Sequence, residues 1–219
     1  VACNAGGLRC VKYGVTRDYV LALSGFLPTG EFVKWGRATR KFATGYNLRD
    51  LWIGSEGTLG VVTEITLRLI LATDHRVTFL AAFENDESAM SAPLELSRLG
   101  IQPSILEYMD QWTIDCLQKY VGAEVFAGIN PSPTLLIELD GELEVLNRER
   151  YILDTWLKQH SLNHRIAENE DDAEELWEVR RQGSSAMKKL ANTKLNEDIV
   201  IPLNRQVELV SFVENLRQE

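Results

Sequence analysis

At 219 residues and 45% hydrophobic, the chain can build one large domain or two small ones around a real core. A formal net charge of −9 with no basic cluster excludes nucleic acid and anionic membrane as expected partners. No apolar run is long enough to span a bilayer and no signal peptide is recognisable, so a cytoplasmic protein is predicted. Three cysteines (Cys3, Cys10 and Cys116) without C-x-x-C spacing are expected to be buried free thiols in a reducing compartment.

Residues 1–72 read as β-rich, beginning with a glycine turn over residues 1–7. The stretch 19–27, the turn signal Pro28-Thr-Gly30 and Glu31-Phe-Val-Lys-Trp35 predict a hairpin. Residues 36–48 are polar and basic and read as a loop, with a helical turn at Asp50 to Trp52. Gly54-Ser-Glu-Gly-Thr-Leu-Gly60 then places three glycines in one turn, ahead of a β-prone run over residues 61–70. A phosphate-binding P-loop needs a lysine that is absent here. A Rossmann fingerprint opens a helix, whereas this turn opens a strand, so no helix-dipole anion site is expected. Glycine permits positive φ and close approach of backbone to a ligand, and a plain tight turn accounts for these glycines equally well.

Beyond residue 72 strands alternate with longer helical patterns. The predicted order is a strand at 75–83, a helix capped by Asp86 and stopped by Gly100, a strand at 101–108 and a helix at 110–120. After a loop come a strand at 134–139, a helix at 142–160 and a strand at 163–167. Pro93 predicts a kink or a late start in the first of these helices. The succession predicts a ferredoxin-like antiparallel sheet with helices on one face. A helix over 171–190 places Leu176, Trp177, Arg180, Gly183, Ser184 and Met187 on one side. An arginine among apolar neighbours is paired, snorkelling or reserved for an anion, and its planar fork suits a carboxylate. Residues 194–202 read as a strand reaching Pro202, and 203–217 as an amphipathic helix capped by Asn204. His75, His160 and His164 lack metal-ligand spacing and read as solvated or capping, so no metal and no catalytic base is assigned.

Six motifs occur in order: Asn4-Ala-Gly-Gly7, Lys12-Tyr-Gly14, Thr16-Arg-Asp-Tyr-Val20, Leu27-Pro-Thr-Gly30, Thr44-Gly-Tyr-Asn-Leu48 and the 54–60 loop. Together they resemble the second half of the FAD-binding domain of the FAD-linked oxidases related to vanillyl-alcohol oxidase. The likeness is to the branch with the glycolate oxidase FAD subunit, D-lactate dehydrogenase and D-2-hydroxyglutarate dehydrogenase. It implies an α+β chain: residues 1–72 as the C-terminal half of that FAD-binding domain, and 73–219 as a ferredoxin-like, C-terminally truncated substrate (cap) domain. It implies FAD as cofactor, held largely by backbone amides around Gly6, Gly7, Tyr13, Gly14, Glu56, Gly57, Gly60 and Val62. Tyr46 is either near the flavin or a core or hydrogen-bonded tyrosine.

Leu176-Trp-Glu-Val-Arg180 resembles the family's Leu-Trp-x-x-Arg stretch. This implies that Arg180, Ser184 one turn later and Lys194 downstream bind a substrate carboxylate, although the spacing to Lys194 departs from the family's. The implied activity is FAD-dependent oxidation of a D-2-hydroxy acid of the glycolate or D-lactate type to the 2-oxo acid. An electron-acceptor protein or subunit is the implied partner. The alternative is a non-catalytic ligand-binding or subunit-interaction module. The family's pyrophosphate loop would precede residue 1 and its histidine-rich motif would follow residue 219. The chain is therefore expected to lack both ends, and to self-associate through exposed apolar surface.

Overall fold

The computed structural model describes residues 1–126, 128–189, 193 and 197–218, which fall into two compact units, Val1–Ala72 and Thr73–Glu219. In the first unit a short helix α1 (Cys10–Tyr13) precedes β1 (Val20–Phe26), β2 (Phe32–Gly36), the helical turn α2 (Leu48–Trp52) and β3 (Val61–Leu67). The sheet runs in the order β2-β1-β3 and is antiparallel. The hairpin turn forms where Pro and Gly signal it. Leu27 N donates to Glu31 O and Gly30 N to Leu27 O, each at 2.9 Å, and Gly30 takes φ 85°. Only glycine accepts that angle without strain. Val20, Leu23, Trp52 and Ile53 form a small core. The β-prone run ends early, at Leu67, and leaves Leu69, Ile70 and Leu71 exposed.

The second unit contains β4 (His75–Ala82), α3 (Asp86–Arg98), β5 (Ile105–Met109), α4 (Gln111–Tyr120), β6 (Thr134–Gly141), α5 (Leu143–His160), β7 (Asn163–Ile166), α6 (Glu170–Met187) and α7 (Gln206–Gln218). Its antiparallel sheet has the order β5-β6-β4-β7. This is the ferredoxin-like order, with α4 replacing the hairpin between the second and third strands.

The expectation of helices on one face is corrected. Residues 77–83 are all buried, so β4 has no solvent side. Val77, Phe79 and Ala81 join Leu135, Ile137 and Leu139 of β6 against α3 and α5. On the opposite face Leu80, Ala82, Met109 and Leu136 pack with Ile114 and Leu117 of α4 and with Leu176, Val179 and Ala186 of α6. A strand whose run 77–83 is apolar on both faces, with Thr78 the single polar residue, must be covered on both sides.

Helix starts also shift from their predicted residues. Asn85, not Asp86, caps α3, accepting from Ser88 N at 2.8 Å. α6 starts at Glu170, one residue before the predicted 171, and Asn169 caps it, accepting from Asp172 N at 2.9 Å. An asparagine in extended backbone turns its amide oxygen onto the first turn, while an aspartate inside that turn favours the helix dipole. The predicted helix at 110–120 forms as α4, with Asp110 as its cap, and Gly100, at φ 73°, stops the end of α3 as predicted. Residues 197–202 form no strand, and α7 starts at Gln206, beyond Asn204. Of the three free cysteines only Cys116 is buried; Cys3 is exposed and Cys10 half-buried. No helix among the described residues is long and apolar enough to cross a membrane.

α7 is tied to the start of α4 by Arg217, which donates to Asp110 at 2.6 Å and lies over the Trp112 ring. Burial pushes the Asp110 carboxyl up, but hydrogen bonds from Thr113 and Arg217 outweigh it and hold it below the usual carboxylate range. The unfolded chain therefore takes up this proton first as pH falls. The Asp110 contribution is complete above the ordinary aspartate value and is lost as pH drops through the depressed one. Asp110→Asn, which keeps the cap, is expected to remove about 1 kcal/mol at neutral pH and to flatten the acid limb of the stability curve. Urea melts of both proteins across acid pH measure the difference.

Candidate functional site

Three segments of the first unit meet around its glycine loops. Thr16 donates through its amide and its hydroxyl to Ala5 O (3.2 and 2.7 Å), and Arg17 N donates to Asn4 Oδ1 at 2.9 Å. Gly54 N donates to Val1 O at 3.2 Å and Glu56 N to Ala2 O at 2.9 Å. These bonds lay residues 1–7 beside residues 54–60, so Gly6, Gly7, Glu56 and Gly57 lie on adjacent exposed loops.

The backbone is left-handed at Asn4 (φ 47°), Gly54 (86°), Glu56 (52°) and Gly57 (79°). At Glu56, which is not glycine, this costs about 1–2 kcal/mol. Its carboxylate is exposed and has no hydrogen-bond partner among the described residues. Nothing lies within 4 Å of where a Cβ would stand at Gly7 or Gly57. Open glycine backbone, left-handed turns and a free carboxylate fit a dinucleotide held by main-chain contacts, with Glu56 facing a hydroxyl or amino group.

The other candidates in this unit have local reasons for their identity. A Cβ at Gly14 would overlap the Asp18 carboxylate, which accepts from Val15 N at 2.8 Å. A Cβ at Gly60 would overlap the Phe26 carbonyl oxygen and stand 2.7 Å from the Trp52 ring. Val62 pairs with Gly25 and packs against the small core. Tyr13 is half-buried and accepts from the Tyr19 hydroxyl through its carbonyl at 2.8 Å. Tyr46 is 93% exposed, which excludes it from the core.

In the second unit α6 buries Ala173, Leu176, Val179, Gly183 and Ala186. The buried stripe is thus rotated from the expected one, and Arg180, Trp177, Ser184 and Met187 lie along its border. Arg180 Nε donates to Glu107 Oε2 at 2.7 Å, with the two side chains 36% and 18% exposed. The terminal nitrogens of Arg180 have no partner among the described residues. The guanidinium is gripped along its Nε side while its outer edge, the part that binds a carboxylate bidentately, stays open. Arg181 points away and pairs with Glu174 and Glu178. Ser184 is half-buried one turn beyond Arg180. Lys194 lies outside the described residues.

Glu107 was not a candidate from the sequence, although its signal was present. In Ile105-Leu-Glu-Tyr-Met109 strand alternation places Glu107 on the same face as Ile105 and Met109, opposite Leu136. A carboxylate at an inward strand position needs a partner. The same face carries Thr78 and the buried Glu138, whose Oε2 accepts from Thr78 Oγ1 at 3.5 Å. Two of the three histidines have partners within the fold. His160 Nδ1 lies 2.8 Å from Trp156 O with its ring stacked on Trp156, and His164 Nε2 lies 2.8 Å from Asp154.

A family model described as FAD linked oxidases, C-terminal domain, matches residues 72–219. The glycolate oxidase subunit GlcD of Bacillus subtilis is 34% identical over 97% of this chain and 45% of its own length. A D-lactate dehydrogenase of Anaerostipes hadrus is 34% identical over 100% of this chain and 47% of its own length. A mitochondrial D-lactate dehydrogenase [cytochrome] of Arabidopsis thaliana is 33% identical over 96% of this chain and 37% of its own. The chain thus spans less than half of each of these relatives. Among solved structures, an alkyldihydroxyacetonephosphate synthase superposes with a TM-score of 0.61 at 18% identity, over 86% of this chain and 36% of that one. A 4-ethylphenol oxidase from Gulosibacter chungangensis superposes with a TM-score of 0.53 at 14% identity, over 78% and 40%. At these identities the likeness establishes the fold alone.

Proposed function

This chain belongs to the FAD linked oxidase family, and on that footing we propose that it serves the oxidation of a D-2-hydroxy acid, of the glycolate or D-lactate type, to the 2-oxo acid. Residues 1–72 are the part of an FAD-binding domain that holds the cofactor through Gly6, Gly7, Glu56 and Gly57, with Tyr13, Gly14, Gly60 and Val62 shaping those loops. Residues 73–219 are the substrate domain. FAD, when bound, supplies the two-electron acceptor.

The observation that carries the substrate class is the open outer edge of Arg180. Glu107 fixes the guanidinium through Nε, so little side-chain freedom is lost when a carboxylate docks on the two terminal nitrogens. The same proposal gives Ser184, one turn on, a hydroxyl contact and Lys194 the part of second cation. A cytoplasmic location and an electron-acceptor protein or subunit belong to it as well. A phenol or simple alcohol offers Arg180 nothing to bind, so a neutral substrate fits this site less well.

Steady-state rates of the FAD-loaded protein with D-lactate and with D-lactamide test the reading. The amide has the same carbinol and no charge. kcat/KM is expected to favour the acid by about a hundredfold, from charge-assisted hydrogen bonds of about 1.5–3 kcal/mol each. Equal values for the pair would remove the role given to Arg180.

A further inference from the structure

A pocket in the first unit is lined by four arginines from scattered places in the sequence, Arg17, Arg40, Arg49 and Arg68, with Asp18 and Asp50 as its acidic lining. The expectation of no basic cluster holds only along the sequence. Arg17 precedes β1, Arg40 sits in the loop after β2, Arg49 in α2 and Arg68 just past β3. The acidity of the chain also hides a division. Residues 1–72 carry nine Lys and Arg against five Asp and Glu, while residues 73–219 carry fourteen against twenty-seven.

Both carboxylates of the pocket are engaged. Asp18 accepts from Val15 N at 2.8 Å, and Asp50 accepts from Arg49 Nε and from Asn47 Nδ2, each at 2.7 Å. Two of the arginines build the wall. Arg17 donates its terminal nitrogens to the carbonyl oxygens of Asp50 and Ile53 at 3.0 and 2.8 Å, and Arg49 reaches the Leu21 carbonyl at 3.4 Å.

The other two arginines are not used in this way. Arg40 is exposed and makes no hydrogen bond or ion pair among the described residues. Arg68 lies 5.0 Å from the Tyr19 ring centroid, and its Nε is buried with no hydrogen-bond partner. Buried donors are rarely left unpaired, because each such group forfeits its hydration without replacement. Four guanidiniums against two carboxylates leave two positive charges in excess.

We propose that this pocket binds a phosphate-class dianion, taken up by Arg40 and Arg68 between walls set by Arg17 and Arg49. A guanidinium fork matches two oxygens of a phosphate, and the charge of such an anion equals the excess. The phosphate arrives either free or carried on a nucleotide, and the chemistry of recognition is the same.

Isothermal titration with inorganic phosphate, and separately with adenosine monophosphate, distinguishes these sources. Saturating FAD is present throughout, so that the phosphates of the cofactor do not account for the heat. Saturable binding of either anion is expected, weakening as salt is added. Arg40→Gln, which leaves no protein contact unmade, is expected to weaken it about tenfold, and Arg40→Gln with Arg68→Gln about a hundredfold. The absence of saturable binding for both anions would overturn the proposal. So would wild-type affinity in the double variant with its far-ultraviolet circular dichroism unchanged.

Discussion

Arg180→Met is expected to lower kcat/KM for a D-2-hydroxy acid by about 10²–10³-fold while leaving the bound flavin spectrum unaltered. The estimate rests on two charge-assisted hydrogen bonds from the outer edge of one guanidinium, at about 1.5–3 kcal/mol each before non-additivity. Methionine keeps much of the aliphatic stem, so the packing of α6 on the sheet is retained. The variant leaves Glu107 without its 2.7 Å partner, but that carboxylate is 18% exposed and can recover water. The resulting loss of stability is expected to be about 1 kcal/mol, against a much larger loss of activity. Arg180→Lys separates charge from geometry. A lysine holds one ammonium and cannot both occupy Glu107 and offer a planar edge, so most of the defect is expected to persist. Full activity in the lysine variant would show that charge alone is needed.

Leu80→Ala is expected to cost about 2–5 kcal/mol, comparable to Phe79→Ala at about 3–5 kcal/mol. The two side chains point to opposite faces of β4, and both are 0% exposed. Phe79 belongs to the core under α3 and α5, Leu80 to the core under α4 and α6. A sheet with helices on one face would leave one of the pair in solvent, where truncation changes stability by about 0.5 kcal/mol or less. In a domain of this size each kcal/mol lowers Tm by about 2–4 °C, so both variants are expected to melt well below wild type. Thermal melts of the two proteins side by side settle which architecture holds.

Much of this fold is local and so legible in the sequence. The hairpin at Pro28-Thr-Gly30, the helix at 110–120 and the Gly100 stop depend on residues close to each other in the chain. What was misread depends on distant partners. The run 77–83 contains no polar alternation, and that feature already argues for cover on both sides, but α4 and α6 supply the second cover from far along the chain. The 3.6-residue spacing on α6 could not decide whether Arg180 or Val179 faces the sheet; the close packing of α6 on α4, where a Cβ at Gly183 would stand 3.2 Å from Thr113 Cγ2, turns Val179 inward. The strand predicted at the Ile199-Val-Ile201 run has high β-propensity and no neighbouring strand to pair with among the described residues. Propensity without a ladder does not make a strand.

The candidate site follows the same division. Gly6, Gly7, Glu56 and Gly57 were readable because glycine-rich turns announce themselves, and the fold then brings the two loops together through main-chain bonds that no side-chain pattern encodes. Arg180 was readable as an arginine against an apolar stripe. Glu107, 73 residues away, became its partner only once β5 and α6 were placed on one face. The arginines at 17, 40, 49 and 68 are invisible as a cluster until α2 and the ends of β1 and β3 converge.

The measurement that bears most directly on hydroxy-acid oxidation is the visible absorbance of the FAD-loaded protein after anaerobic mixing with D-lactate. The expected result is bleaching of the bound flavin by the D-acid, little by D-lactamide, and a bleaching rate at low substrate reduced at least a hundredfold in Arg180→Met. Bleaching that ignores the carboxylate, or that survives intact in Arg180→Met, would contradict the account. Residues 73–219 would then serve something other than the binding of an acid.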